Sequence, residues 1–222
     1  MKVLVIENAS SAPVGLFGDW LRDQGAELTV ITPDHVPETP AGYDLVVTLG
    51  SPHGAYEDLP WIHRQRDFLR AAADADHPVI GICFGAQLLA DAIGGTAAKM
   101  PGGQIYIGWH ENEFAADPLW AGPWLRFHGD HLEVPEQAEV LARDKGTVQA
   151  YQYRRTVGVQ FHPEAGQDQV NYWAGKMPDW LAKAGLTYDG LVADSQEILA
   201  RQAAARDVLF SEMLRRTVGP RG

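Results

Sequence analysis

Two short stretches carry the residues able to do covalent chemistry. Gly81-Ile-Cys-Phe-Gly85 holds the single cysteine of the chain, Cys83, where an apolar run stops and a helical run begins. Val157-Gly-Val-Gln-Phe-His-Pro-Glu164 ends a strand-like run with an imidazole and a carboxylate. The first stretch has the form of a nucleophile elbow, with cysteine in the place of serine. Small residues two positions to either side let a sharp strand-to-helix turn close, and the turn holds the nucleophile out at the carboxyl end of the strand. The backbone N–H groups that follow point the same way. With the helix dipole they lower a thiol pKa from its free value of about 8.5 and stabilise an oxyanion. In the second stretch Pro163 pushes His162 into extended backbone. Residues i and i+2 of an extended segment share a face, so Glu164 can lie beside the imidazole, fix its tautomer and stabilise the imidazolium. Nucleophile, base and orienting carboxylate then occur in the order Cys, His, Glu, with the first two 79 positions apart.

Each motif has a simpler reading when taken alone. An unpaired cysteine is commonly a small buried hydrophobe, and one His-Pro-Glu is a strand-ending turn. Joined in an α/β pattern, the two favour a triad of Cys83, His162 and Glu164. His128, Asp130 and His131, with His110 and Glu111 as extra ligands, invite a metal reading, but their spacing fits no standard zinc signature. No metal or other cofactor is expected. Trp109, Trp120, Trp124 and Trp173 read more simply as core or lid packing than as a binding surface.

The elements that must position these residues follow from hydropathy. Lys2–Glu7, Glu27–Thr32, Leu45–Leu49 and Val79–Ile82 are short apolar runs that predict strands. Helical spacing over Gly15–Gln24 and Trp61–Ala75 alternates with them. That alternation predicts βαβ units and a mostly parallel, doubly wound sheet covered on both faces. Between Ala97 and Phe161 the runs are shorter and rich in glycine, proline and aromatics. Ile105–Glu111, Trp124–His128, Glu139–Arg143, Val148–Tyr153 and Val157–Phe161 are expected to be strands, some antiparallel. From Gly166 the pattern turns helical, with helices expected over Gln169–Ala184 and Asp194–Arg216. The second carries Ile198, Leu199, Val208, Leu209, Met213 and Leu214 on one stripe, which packs on its own sheet or docks a partner.

A chain of 222 residues, 45% of them apolar and without a linker-like tract, predicts one domain: a catalytic core over about 1–166 and a helical extension over about 167–222. A net charge of −11 opposes a nucleic-acid partner or an anionic membrane surface. One cysteine cannot form an internal disulfide, and the first apolar run is too short for a signal peptide or a membrane span, so the cytoplasm is the expected location.

The quoted motifs resemble those of the class I, or triad, glutamine amidotransferases. The matching pieces are Gly81-Ile-Cys-Phe-Gly-Ala-Gln-Leu-Leu-Ala90 with Gly94-Gly95, Val159-Gln-Phe-His-Pro-Glu164, and Leu49-Gly-Ser-Pro52. By pattern the chain is similar to free-standing proteins like the amidotransferase half of GMP synthase. The resemblance implies a flavodoxin-like fold and a reaction in which Cys83 attacks the side-chain amide of glutamine. His162 would maintain the thiolate and protonate ammonia, Glu164 would hold His162, and a γ-glutamyl thioester would be hydrolysed by water. It also implies an oxyanion hole made by the N–H of Phe84 and one from Gly50 or Ser51. Gln87 would help bind the substrate, and the Phe127-His-Gly129-Asp130 segment would grip its amino-acid end. Related chains often read Gly-Gly-Pro at Gly50-Ser51-Pro52, so a donor survives there only if the backbone avoids positive φ.

Three functions remain open on the residues. The chain could hydrolyse glutamine and pass ammonia to a synthetase on another chain, since it contains no G-x-x-x-x-G-K-[ST] phosphate loop. It could be a self-contained hydrolase of a γ-glutamyl amine or peptide. It could be a binding or regulatory module without turnover, against which the intact triad argues.

Overall fold

A computed structural model of the chain describes residues 1–219; the final three residues of the expected helical extension lie outside it. The central sheet has eight strands in the order β2-β1-β3-β4-β12-β11-β10-β7. Its parallel half is β2 (Glu27–Ile31), β1 (Lys2–Ile6), β3 (Leu45–Thr48), β4 (Val79–Ile82) and β12 (Thr156–Val159). The antiparallel half adds β11 (Thr147–Tyr153), β10 (Glu139–Asp144) and the short β7 (Phe114–Ala115). Two ribbons lie outside it: β5 (Thr96–Lys99) with β9 (Asp130–Glu133), and β6 (Tyr106–His110) with β8 (Trp124–His128).

Side-chain alternation builds the two faces. Val3 and Val5 of β1 join one apolar cluster, whereas Leu4 and Ile6 join the other, so every residue of the strand after Lys2 is buried. The first cluster is capped by α1 (Gly15–Asp23), through Phe17 and Leu21, and by the C-terminal α7 (Ala203–Val218), through Leu209, Phe210 and Met213. The second is capped by α2 (Pro60–Asp74) and α3 (Phe84–Ala92), through Ile62, Leu69, Leu88 and Leu89. The last helix is therefore part of the main core.

The helical tail is more broken than its periodicity suggests. The run expected over Gln169–Ala184 is two helices, α4 (Gln167–Lys176) and α5 (Pro178–Lys183). Pro178 lacks an N–H and displaces the preceding residue from helical angles, leaving Met177 at φ −126°, ψ 54°. The run expected over Asp194–Arg216 is α6 (Tyr188–Arg201) and α7, which meet at Gln202. The stripe is divided between the two helices, and within α7 Leu209 and Met213 are buried while Val208 is 56% exposed. The strands β5, β7 and β9 fall where no strand is expected.

Candidate active site

The strand register brings the two motifs together. β12 runs parallel to β4 with Val159 opposite Ile82, so Cys83 and Gln160 leave the sheet side by side. The Cys83 N–H donates to the Val159 carbonyl at 2.8 Å. On the other flank Thr48 of β3 lies opposite Gly81, which brings Gly50 and Ser51 past the same carboxyl ends. Ligands of open α/β sheets gather at this edge.

Cys83 sits at φ 53°, ψ −113°, in the positive-φ half of the backbone map that a side chain enters only under strain. The flanking glycines explain how the turn closes. A Cβ on Gly81 would lie 2.7 Å from the Gly85 carbonyl oxygen, and one on Gly85 would strike the Thr48 carbonyl. Helix α3 starts at the next residue, so the N–H groups of its first turn have no acceptor within the helix. The thiol is nearly buried, at 7% exposure.

His162 is anchored through its backbone N–H, which donates to the Leu125 carbonyl at 2.8 Å. Its Nδ1 lies 2.7 Å from Glu164 Oε1, and both side chains are almost fully buried. That bond assigns the Nδ1 proton to Glu164 and leaves Nε2 for the thiol. Burial alone would lower the imidazole pKa, but the charges of Glu164 and Cys83 and the hydrogen bonds to both outweigh it, and the net shift is upward. The His162 ring packs against Trp173 of α4, with centroids 4.8 Å apart. Such an arrangement can generate a thiolate, protonate a leaving group and later activate water.

A cleft of about 270 Å³ opens over Cys83 and His162, walled by Gly50, Ser51, Phe127 and Trp173 among others. Neither Gly50 nor Ser51 has positive φ, so the serine carries no backbone strain. Its Oγ accepts the His53 N–H at 3.2 Å. A Cβ at Gly50 would sit 3.5 Å from the His162 ring and 4.0 Å from Cys83 Cβ, which places this loop directly against both.

Gln87, Gly129 and Asp130 are not among the residues lining the cleft. The Gln87 side chain is buried and donates to Gln160 Oε1 at 3.1 Å. Gly129 is the tight link between β8 and β9, with Ile105 and Trp180 each 3.3 Å from where a Cβ would stand. Asp130 accepts a 3.1 Å bond from the Tyr56 hydroxyl, on the loop that also carries Gly50 and Ser51. Burial and the Asp130 charge push the Tyr56 phenol up to about 12, so it remains a neutral donor. His128 is buried, with Nδ1 2.8 Å from the Asp130 carbonyl. Two participants escaped the sequence reading. Gln160 Nε2 lies 3.7 Å from Cys83 Sγ, and Lys176 of α4 lines the cleft.

The mostly parallel sheet, the strained cysteine turn and the buried His–Glu pair together place a nucleophile, a base and an orienting carboxylate at one strand edge. Residues 8–171 match the family model for glutamine amidotransferase class I, and the chain belongs to that family. It is 32% identical over 139 residues to γ-glutamyl peptidase 4 of Arabidopsis thaliana, covering 57% of this chain and 55% of that one. It is 29% identical over 181 residues to the glutamine-hydrolysing GMP synthase of Mycolicibacterium paratuberculosis, covering 68% of this chain and 33% of that one. The chain thus spans about half the length of the first relative and a third of the second. A solved glutamine amidotransferase of Thermotoga maritima superposes over 99% of both chains with a TM-score of 0.83 at 24% identity, a likeness of fold.

Proposed function

We propose that the chain hydrolyses the side-chain amide of glutamine at Cys83, through a triad with His162 and Glu164. The observation that carries this reading is the meeting of the strained Cys83 turn with the 2.7 Å His162–Glu164 pair at one strand edge. The thiolate adds to the amide carbon while the N–H of Phe84 and one from the Gly50–Ser51 loop hold the oxyanion. Losing one such donor typically costs about 2.7–4 kcal/mol of transition-state stabilisation. His162 gives its proton to the departing ammonia, leaving a γ-glutamyl thioester. Water, deprotonated by His162, then releases glutamate. Gln87 acts through Gln160, which it holds against Cys83, and Asp130, beyond the turn at Gly129, is the counter-charge for the ammonium group of the substrate. The ammonia passes to a synthetase on a separate chain in the cytoplasm, a reading supported by the glutamine-hydrolysing GMP synthase among the relatives.

A second reading, a self-contained γ-glutamyl hydrolase, is favoured by one feature: besides Cys83 and His162 the cleft is lined by Tyr172, Trp173 and Lys176 of α4, side chains that a leaving group larger than ammonia could contact. Ammonia release from glutamine, compared between wild type and Cys83→Ala, tests the shared mechanism. Release that requires Cys83 supports it, and release that survives the substitution overturns it.

A further inference from the structure

The general acid must face the nitrogen that departs, so the His162 side of Cys83 is the leaving-group side of the cleft. That side is built by α4. Trp173 packs at a tilt against His162, Trp173 and Lys176 stand at i and i+3 on one face of the helix, and Met177 follows as its C-terminal cap. All three line the cleft together with Tyr172. Apart from His162, Lys176 is the one charged side chain of the lining. Its ammonium lies 5.7 Å from the centre of the Tyr172 ring, and no carboxylate among the described residues pairs with it. Beyond Tyr172 the cleft meets an outer groove of about 630 Å³ that shares Ser11 and Tyr172 with it and carries Asp19 and Asp168. An anion on the leaving group is therefore attracted at Lys176 and repelled farther out.

We propose that α4 forms a leaving-group subsite for γ-glutamyl dipeptides whose second residue is apolar or aromatic. Lys176 pairs with the carboxylate of that residue, and its side chain packs on Tyr172, Trp173 and Met177. The proposal rests on the reading that Cys83 opens a γ-glutamyl amide. The Sγ–C bond forms as the C–N bond breaks, and the amino-acid nitrogen leaves with the His162 proton. Water then cleaves the thioester to glutamate and restores the thiol.

The test compares γ-glutamylphenylalanine with γ-glutamylphenethylamide, the same leaving group without its carboxylate. Wild type is expected to prefer the dipeptide in kcat/KM by about two- to fivefold, the effect of one exposed ion pair. Lys176→Met should bring that ratio close to unity, and Lys176→Arg should keep it. A ratio that Lys176→Met leaves unaltered, whether or not both substrates slow, overturns the subsite while leaving Cys83 chemistry intact. Hydrolysis that persists in Cys83→Ala counts against the underlying mechanism, which ammonia release from glutamine tests separately where neither compound is hydrolysed. The subsite is then decided by calorimetric binding of both compounds to Cys83→Ala, with and without Lys176→Met. Tighter dipeptide binding that is lost with Lys176 supports it; equal binding, or none, overturns it.

Discussion

The side-chain amide of Gln160 stands 3.7 Å from the sulfur of Cys83, and Gln87 holds it there with a 3.1 Å bond to its oxygen. Both glutamines are buried to within 2% of full enclosure, so the amide cannot turn to solvent for another partner. A donor aimed at sulfur favours its charged form. Gln160→Ala is expected to lower kcat for γ-glutamyl amide hydrolysis about tenfold with little change in KM, the loss of one hydrogen bond to a charged group. Gln160→Glu should lower it further, because a carboxylate would then face the thiolate. A fall confined to KM would assign Gln160 to substrate binding instead.

Glu164 holds the His162 pKa up, so its removal has a signed consequence. Glu164→Gln should lower kcat/KM by about 100- to 10,000-fold, the usual range for acid–base positioning. It should also move the alkaline limb of the pH profile to lower pH, because the imidazolium loses its counter-charge. A limb that stays in place would mean that another group sets it.

The strain at Cys83 predicts an inverted preference between alanine and glycine. At ordinary positions Gly costs about 0.5–1 kcal/mol relative to Ala. At φ 53°, ψ −113° the Cβ is the source of strain, so Cys83→Gly should unfold at higher denaturant than Cys83→Ala, by about 1 kcal/mol. Equal midpoints, or Ala above Gly, would show that the turn is relaxed.

How much of this was legible beforehand depended on whether the cause lay in local sequence. The parallel strands, the elbow and the His162–Glu164 pair are written in apolar runs, two glycines and one proline, each acting within a few residues. Gln160 reads as one more strand residue, because its role arises from the register that sets Val159 beside Ile82 across 77 positions of chain. Lys176 reads as a solvated helix charge until α4 is laid across the cleft. The break at Gln202 carries no proline or glycine, and tertiary packing of α7 onto Phe17 overrides the continuous helical pattern. β5 and β9 are short and mostly polar, and each exists through pairing with the other.

Two histidines give stability opposite slopes with pH. Burial, with the charge of Arg126 behind it, pushes His128 down to about 3 despite its bond to the Asp130 carbonyl. Its contribution is complete above its ordinary value of about 6.5 and is lost as pH falls toward 3, by at most about 1.4 kcal/mol per unit. His162, shifted upward, contributes fully below about 6.5 and loses its share as pH rises through the raised value. Thermal melts from pH 7 to pH 4 should flatten in His128→Gln, even with a lower melting point at neutral pH. An unaltered slope would place the acid sensitivity elsewhere.

The central claim is that Cys83 carries the γ-glutamyl group between its two half-reactions. Intact-mass spectrometry of the chain, quenched in acid during turnover of glutamine or γ-glutamylphenylalanine, tests this directly. A γ-glutamyl adduct that maps to Cys83 in wild type and is absent from Cys83→Ala is the predicted result. Product formation by wild type with the thiol unmodified at every quench time, and undiminished in Cys83→Ala, would contradict it.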